Sequence, residues 1–315
     1  VLTVRFWGVV AVLVAFTGAA AALTGASAAQ QQPIKSDTVL RSGIDIVMVT
    51  ATVLDAEGRL VTGLEKEAFE VYEDGDRQTI TQFTNERVPV GLGVLLDTSD
   101  SMFGQRIVDA RRVVERFLFE LLDQSDAWFV VAFNHYPHII SRWNSTPDEV
   151  KAALGELKPS GGTAIYDSVI ASLPMIARRP RERAAIVVIS DGADTASDAT
   201  VGDVRKALLR SEAFVYAVAI DSPQRQAINT RVNETALGEI TGQSGGRTEV
   251  VRDMEGLQAA TARIAEELNS QYVFAYASPR ATDGKFHSIR VRVTLPGHKV
   301  RARNGYVGAP KPRSE

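Results

Sequence analysis

The chain has 315 residues, 45% hydrophobic and 23% charged, with a formal net charge of −3 and no cysteine. This is ordinary globular composition, which excludes extended disorder and fibrous repeats, and the length fits one large or two modest domains. The near-neutral balance argues against a general nucleic-acid binder. The lack of cysteine excludes disulfides, thiolate metal sites and cysteine nucleophiles, and four histidines make a histidine-rich zinc site a poor expectation.

After Arg5 no charged side chain occurs until Lys35. The apolar run from about Trp7 to Leu23, followed by Ala26-Ser27-Ala28, reads as a signal peptide over residues 1–28 with an A-x-A cleavage site. An uncleaved membrane anchor is the alternative, since the run is long enough to span a bilayer. Either way the expectation is an exported protein, periplasmic or extracellular. Residues 29–43 read as a flexible lead-in.

A strand-rich block follows. Ile44–Leu54 is β-branched and partly alternating, and Phe69–Tyr72 and Thr79–Phe83 flank Asp74-Gly75, a strong hairpin signal. From Val90 the pattern changes. Val90–Leu96 is a continuous apolar strand of the kind buried in parallel sheets. A helical stripe then runs from about Arg106 to Leu122. Further strands are predicted at Ala127–Asn134, Pro137–Trp143, Ala185–Ser190, Phe214–Ile220 and Arg247–Val251. Helices are predicted at Pro147–Leu157, Ala164–Ala177, Val201–Ser211, Asn233–Gly242 and Met254–Asn269. This alternation predicts a doubly wound, mostly parallel α/β sheet over residues 89–270. After Asn269 the pattern returns to β at Gln271–Ala277, Lys285–Leu295 and Lys299–Ala302. Each β-rich flank is small for a core of its own. The expectation is therefore one discontinuous β-rich domain built from 44–88 and 271–308, with two separate hairpin appendages as the alternative.

Three segments carry candidate chemistry. The strand from Val90 runs into Asp97-Thr98-Ser99-Asp100-Ser101, Gly161-Gly162-Thr163 precedes a helix, and the strand Ala185–Ser190 ends in Asp191-Gly192. In open α/β sheets, ligands bind beyond the carboxyl ends of the strands. Alternating Asp97, Ser99 and Ser101 can present their oxygens on one side, and with Thr163 and Asp191 they make a hard, all-oxygen donor set. Such donors suit Mg²⁺, with Mn²⁺ or Ca²⁺ as alternatives. The competing reading is a polar turn that caps the next helix.

The order DTSDS, GGT and SDG resembles the metal-ion-dependent adhesion site of the von Willebrand factor type A family. The resemblance covers about Val90 to Asn269 and implies a Rossmann-like fold. It implies direct metal binding by Ser99 and Ser101, direct or water-mediated binding by Thr163, and largely water-mediated roles for Asp97 and Asp191. One coordination position would accept a carboxylate from a partner protein. The flanking segments Val49–Gly58, Phe69–Gly75, Asp283–Ile289 and Arg301–Tyr306 resemble a bacterial exported subgroup related to that family.

Other features read as decoys. Gly242-Gln243-Ser244-Gly245-Gly246 matches G-x-S-x-G, but in the order helix, turn, strand rather than the order a nucleophile elbow needs. His135 and His138 sit at a strand–strand turn with no evident carboxylate partner. Asp100 and Asp194 read as solvated loop carboxylates, with tuning of the neighbouring cluster as the alternative, and Arg178-Arg179-Pro180-Arg181 as a solvated basic loop, with a partner contact as the alternative. The sequence thus points to a non-enzymatic, exported binding module whose metal accepts an Asp or Glu of a protein partner. An envelope scaffold that binds through its β domain is the alternative. A metal-assisted hydrolase is remote, because no credible general base accompanies the cluster.

Overall fold

The computed structural model describes residues 45–191, 193–221 and 233–309. The signal-peptide and lead-in segments lie outside these residues, as does Gly192. Among the described residues no helix is long and apolar enough to cross a membrane.

The central sheet is built from β5 (Val90–Asp97), β6 (Ala127–Phe133), β7 (Pro137–Ile139), β8 (Arg183–Ser190), β9 (Phe214–Ile220) and β10 (Thr248–Val251). Its spatial order is β10-β9-β8-β5-β6-β7. All neighbours are parallel except β6 and β7. Strand β5 is buried along its whole length, which explains its unbroken apolar sequence: both faces are covered. Gly93 is needed there, because a Cβ would lie 2.4 Å from the Phe129 ring.

Helices cover both faces. On one side α1 (Gln105–Arg116), α2 (Pro147–Glu156) and α6 (Met254–Asn269) pack Val113, Leu154 and Ile264 against Leu92, Val94 and Val187. On the other, α3 (Ile165–Ala177), α4 (Val201–Leu208) and α5 (Glu234–Ser244) pack Val169, Val204 and Ile240 against Leu95, Phe129 and Val188. This is the doubly wound α/β fold expected from the alternation. Each such fully buried aliphatic side chain stabilises the fold by about 1.5–3 kcal/mol before entropy is charged against it.

The flanks form two further four-stranded sheets. β13 (Lys299–Ala302), β1 (Asp45–Leu54), β11 (Tyr272–Ser278) and β4 (Ile80–Thr84) make one; β14 (Gly305–Val307), β12 (Phe286–Val293), β2 (Phe69–Glu73) and β3 (Asp76–Gln78) make the other. Both combine strands from before and after the central sheet, and they share a core of Val49, Phe69, Val71, Phe274 and Val291. The Asp74-Gly75 turn forms with both residues at positive φ (51° and 92°), the backbone an I′ turn requires, but it pairs β2 with the short β3; the expected second strand, Thr79–Phe83, instead becomes β4 and pairs with β11 in the other sheet.

Two boundaries differ from expectation by four residues or more. The first helix ends at Arg116 and passes into a π turn, Phe117–Leu121, closed by Leu122 N–H on the Phe117 carbonyl (3.2 Å). That wide turn keeps Phe117 and Leu118 both in the core. Strand β7 stops at Ile139 instead of Trp143 because Ile140 and Ser141 N–H both bond the Val130 carbonyl, while Ser141 Oγ accepts Val130 N–H. The Ser141 side chain takes over a ladder position, and the chain leaves the strand.

Glu267 joins the α/β layer to the flanks. It is 1% exposed, on α6. Its carboxylate accepts from Tyr216 OH of β9 (2.9 Å), Thr52 Oγ1 of β1 (3.1 Å), Arg247 Nε (3.0 Å) and Arg301 Nη2 of β13 (2.6 Å). Removing it leaves Arg301 without a carboxylate partner among the described residues and Arg247 with Glu249 alone. Glu267→Ala is expected to lower unfolding free energy by about 3–5 kcal/mol. A urea titration showing under about 1 kcal/mol of loss would contradict this role.

His287, buried on β12, is clamped between Asp74 Oδ2 (2.7 Å) and Asp283 Oδ1 (3.0 Å). Burial opposes its charge, but the two carboxylates outweigh burial and raise its pKa above the ordinary 6.5. The hydrogen bond from His287, followed by backbone hydrogen bonds, lowers Asp74 and Asp283 below 3.8. The histidine's contribution is therefore full below about pH 6 and fades as pH rises through its folded value; the carboxylates' contribution fades only in strong acid. The stability difference between wild type and His287→Gln should accordingly shrink from about pH 6 to about pH 8, and a constant difference would refute the clamp.

Candidate metal centre

Strand order reverses at β5: the chain steps to β6 on one side and later to β8 on the other. The carboxyl ends of β5 and β8 therefore border the crevice where doubly wound sheets hold ligands. Asp97 ends β5, and Asp191 follows the last residue of β8.

The side chains form one chain of hydrogen bonds. Asp97 Oδ1 accepts Ser99 N–H (2.7 Å), and Asp97 Oδ2 accepts Ser190 Oγ (2.5 Å). Ser99 Oγ lies 2.8 Å from Ser101 Oγ, which donates to Asp191 Oδ1 (2.6 Å). Arg106 Nη1 reaches Asp191 Oδ2 (3.2 Å) and the Ser101 carbonyl (2.8 Å), so the first turn of α1 is tied to both loops. Four of the five predicted residues, Asp97, Ser99, Ser101 and Asp191, thus meet directly.

Thr163 arrives on a loop pinned to the first one: Asp100 N–H bonds the Gly161 carbonyl (2.9 Å), and Ser160 N–H bonds the Thr98 carbonyl (2.8 Å). Gly161 has φ +77°, and a Cβ there would lie 2.2 Å from His135 Nδ1. His135 instead accepts Gly162 N–H (2.9 Å), so it shapes this loop from the neighbouring strand end. Thr163 is 4% exposed and its N–H bonds Thr195 Oγ1 (3.0 Å), while its hydroxyl bonds no described protein group.

The donor chemistry fits a hard cation. Asp97 is fully buried and has no Lys or Arg partner among the described residues. Burial pushes its carboxyl from 3.8 up to about 6, against the hydrogen bonds from Ser190 and Ser99, and the charge of Asp191 pushes the same way. A buried carboxylate of this kind is stabilised by a nearby positive charge. No group of three His, Asp or Glu side chains is poised around one point among the described residues, so any cation here depends on the serine and threonine hydroxyls.

Several expectations are corrected. Asp194 is not a solvated loop carboxylate. It accepts Tyr166 N–H (3.0 Å), Ser197 N–H (3.1 Å) and Ser197 Oγ (2.7 Å), and so holds the loop after β8 against the start of α3. Asp167, which the sequence reading passed over, completes that tie through Asp198 and Ala199 N–H. Arg179 is not in a solvated loop either: it bonds the Glu182 carbonyl (2.9 Å) and the Glu212 carboxylate (2.5 Å). Ser244 of the G-x-S-x-G match is buried, accepts Val215 N–H (2.8 Å) and donates to the Thr241 carbonyl (2.8 Å), with Gly245 in the left-handed cap of α5. Arg106 and Ser190 bear on the cluster without having been singled out. Their signal was only adjacency, one five residues beyond Ser101 and the other just before Asp191.

Residues 92–193 match the family model of the von Willebrand factor type A domain. That match lies within the doubly wound sheet, whose architecture is the one the resemblance implied. Two solved structures with a TM-score of 0.50 agree on the fold. A von Willebrand factor type A protein from Catenulispora acidiphila aligns with TM-score 0.50 and 12% identity, over 83% of this chain and 74% of that one. Proximal thread matrix protein 1 from the mussel byssus aligns with TM-score 0.50 and 13% identity, over 62% and 50%. An aerotolerance-related membrane protein from Bacteroides fragilis aligns with TM-score 0.48 and 22% identity, over 57% and 98%. No match is found among curated proteins.

The raised Asp97 pKa makes a signed prediction for protein kept in EDTA. The folded state holds the proton more tightly than the unfolded state, so Asp97 costs stability increasingly as pH rises from about 4 to about 6. Asp97→Asn should therefore gain on wild type by up to about 3 kcal/mol between pH 4 and pH 7. A pH-independent difference in thermal or urea unfolding would refute the assignment.

Proposed function

We propose that this protein is an exported, non-enzymatic binding module in which a divalent cation, Mg²⁺ in the first instance, links it to an acidic side chain of a partner protein. Ser99 and Ser101 would hold the metal directly, Thr163 directly or through water, and Asp97 and Asp191 largely through water. The single observation that carries this reading is the buried Asp97 carboxylate, without a basic partner, at the head of the hydroxyl chain Ser99–Ser101–Asp191.

Charge supports an anionic ligand. Asp97 and Asp191 bring two negative charges and Arg106 one positive, so a divalent cation leaves the cluster with one net positive charge. Such a cluster attracts a carboxylate, and the attraction is strong where water is partly excluded. The surroundings suit a protein surface: Phe103 (77% exposed) follows the Asp97–Ser101 loop, and Tyr136 (68% exposed) sits beside the His135 contact to the Gly162 loop. Exposed aromatics of this kind are common anchors at interfaces.

Calorimetry should show Mg²⁺ binding to wild type and its loss in Asp97→Ala; equal binding in both would overturn the metal reading. Capture of a partner from envelope extract should then require Mg²⁺ and fail in EDTA. Capture that survives both EDTA and Asp97→Ala would instead favour a scaffold working through the flanking sheets.

A further inference from the structure

The outer face of the β14-β12-β2-β3 sheet carries a second candidate site. Along β12, His287, Ile289 and Val291 point into the core while Ser288, Arg290 and Arg292 point outward. Cross-strand register sets Arg290 opposite Tyr72 and Arg292 opposite Glu70, with Arg77 of β3 opposite Tyr72 on the other side. Between them lies a groove of about 420 Å³ lined by Tyr72, Gly75, Ser288, Arg290, Arg292 and Asn304. That volume is within the range of small-ligand sites.

The groove's charge is unbalanced. Glu70 lies opposite Arg292 but is engaged by Tyr72 OH (2.8 Å) and by Arg77 Nη2 (3.3 Å), and Arg77 balances its charge. Asp74, at the groove's hairpin end, is engaged by His287 and by Ser288 N–H and Oγ. Arg292 rests over the Tyr72 ring, 5.3 Å from its centroid, and neither it nor Arg290 pairs with a carboxylate among the described residues. Two guanidiniums two residues apart on one strand face stand about 7 Å apart at their Cα atoms, close enough for both to reach one tetrahedral anion. No acidic residue lines the groove.

We propose that this groove binds a phosphate group, with Arg290 and Arg292 as its two forks and the Tyr72 ring holding Arg292 in place. Guanidinium geometry matches phosphate oxygens in bidentate fashion, and two cations balance the charge of a phosphate dianion. The phosphate belongs either to a small soluble molecule or to a lipid headgroup, and one surface serves both. The site is independent of the metal cluster, and its test uses no metal.

The full chain is titrated with inorganic phosphate at constant ionic strength and followed by calorimetry, with sodium chloride as the blank. Wild type should bind saturably. Arg290→Gln and Arg292→Gln should each weaken binding about tenfold, the double variant should lose it, and Arg112→Gln on exposed α1 should leave it unchanged. All three substituted arginines are on the surface, and unchanged melting temperatures will confirm intact folds. In a second arm, vesicles of phosphatidylcholine containing phosphatidic acid, whose headgroup is a phosphomonoester, are compared with phosphatidylcholine alone. Retention on the anionic vesicles that is lost in the double variant assigns the phosphate to a headgroup; binding of free phosphate alone assigns it to a soluble ligand. No saturable phosphate binding by wild type, or an equal loss in Arg112→Gln, overturns the proposal.

Discussion

A carboxylate sealed at the end of an apolar strand is the constraint around which this molecule is arranged. Strand β5 is buried on every residue, and its last residue is Asp97, with no solvent exposure. Burying a carboxylate without a basic partner is expensive, and two hydrogen bonds, from Ser99 and Ser190, offset only part of the cost. A fold that keeps such a group must gain from it elsewhere. The hydroxyls of Ser99 and Ser101 and the second carboxylate, Asp191, stand directly in line with it, and this juxtaposition is what a hard cation requires.

The rest of the structure keeps that juxtaposition rigid. Parallel pairing of β5 with β8 brings Asp97 and Asp191 to the same sheet edge from positions about ninety residues apart. The Gly161 and Ser160 backbone bonds fasten the threonine loop, while Asp194 and Asp167 fasten the loop beyond Asp191 to α3. Farther away, Glu267 ties helix α6 to strands of the flanking sheets, so the α/β layer and the flanks are stabilised together. Ligand-binding groups held on such a scaffold lose little further entropy when they bind.

Much of this was legible in the sequence, for identifiable reasons. The run Val90–Leu96 announces a strand covered on both faces, and the helices at Pro147, Ile165 and Met254 start within a residue of expectation, two of them behind side-chain caps at Thr146 and Asp253. Four of the five candidate ligands stand in short motifs at the ends of β5 and β8 and the fifth, Thr163, in a glycine loop ahead of α3, which is why local sequence brought them forward as candidates. What sequence reading missed depends on partners far along the chain: Arg106 with Asp191, His135 with Gly162, His287 with Asp74. A basic or imidazole side chain carries no local mark of which distant carboxylate or amide it will meet. Strand β14, three residues long and begun by a glycine, has too little pattern to be seen before its partner β12 is known.

The most direct measurement of the central claim is a crystal of the protein soaked in Mn²⁺ and examined for anomalous scattering. The account predicts a single strong peak among Asp97, Ser99, Ser101, Thr163 and Asp191, absent in Asp97→Ala. Well-ordered density for these five side chains with no anomalous peak between them would contradict it.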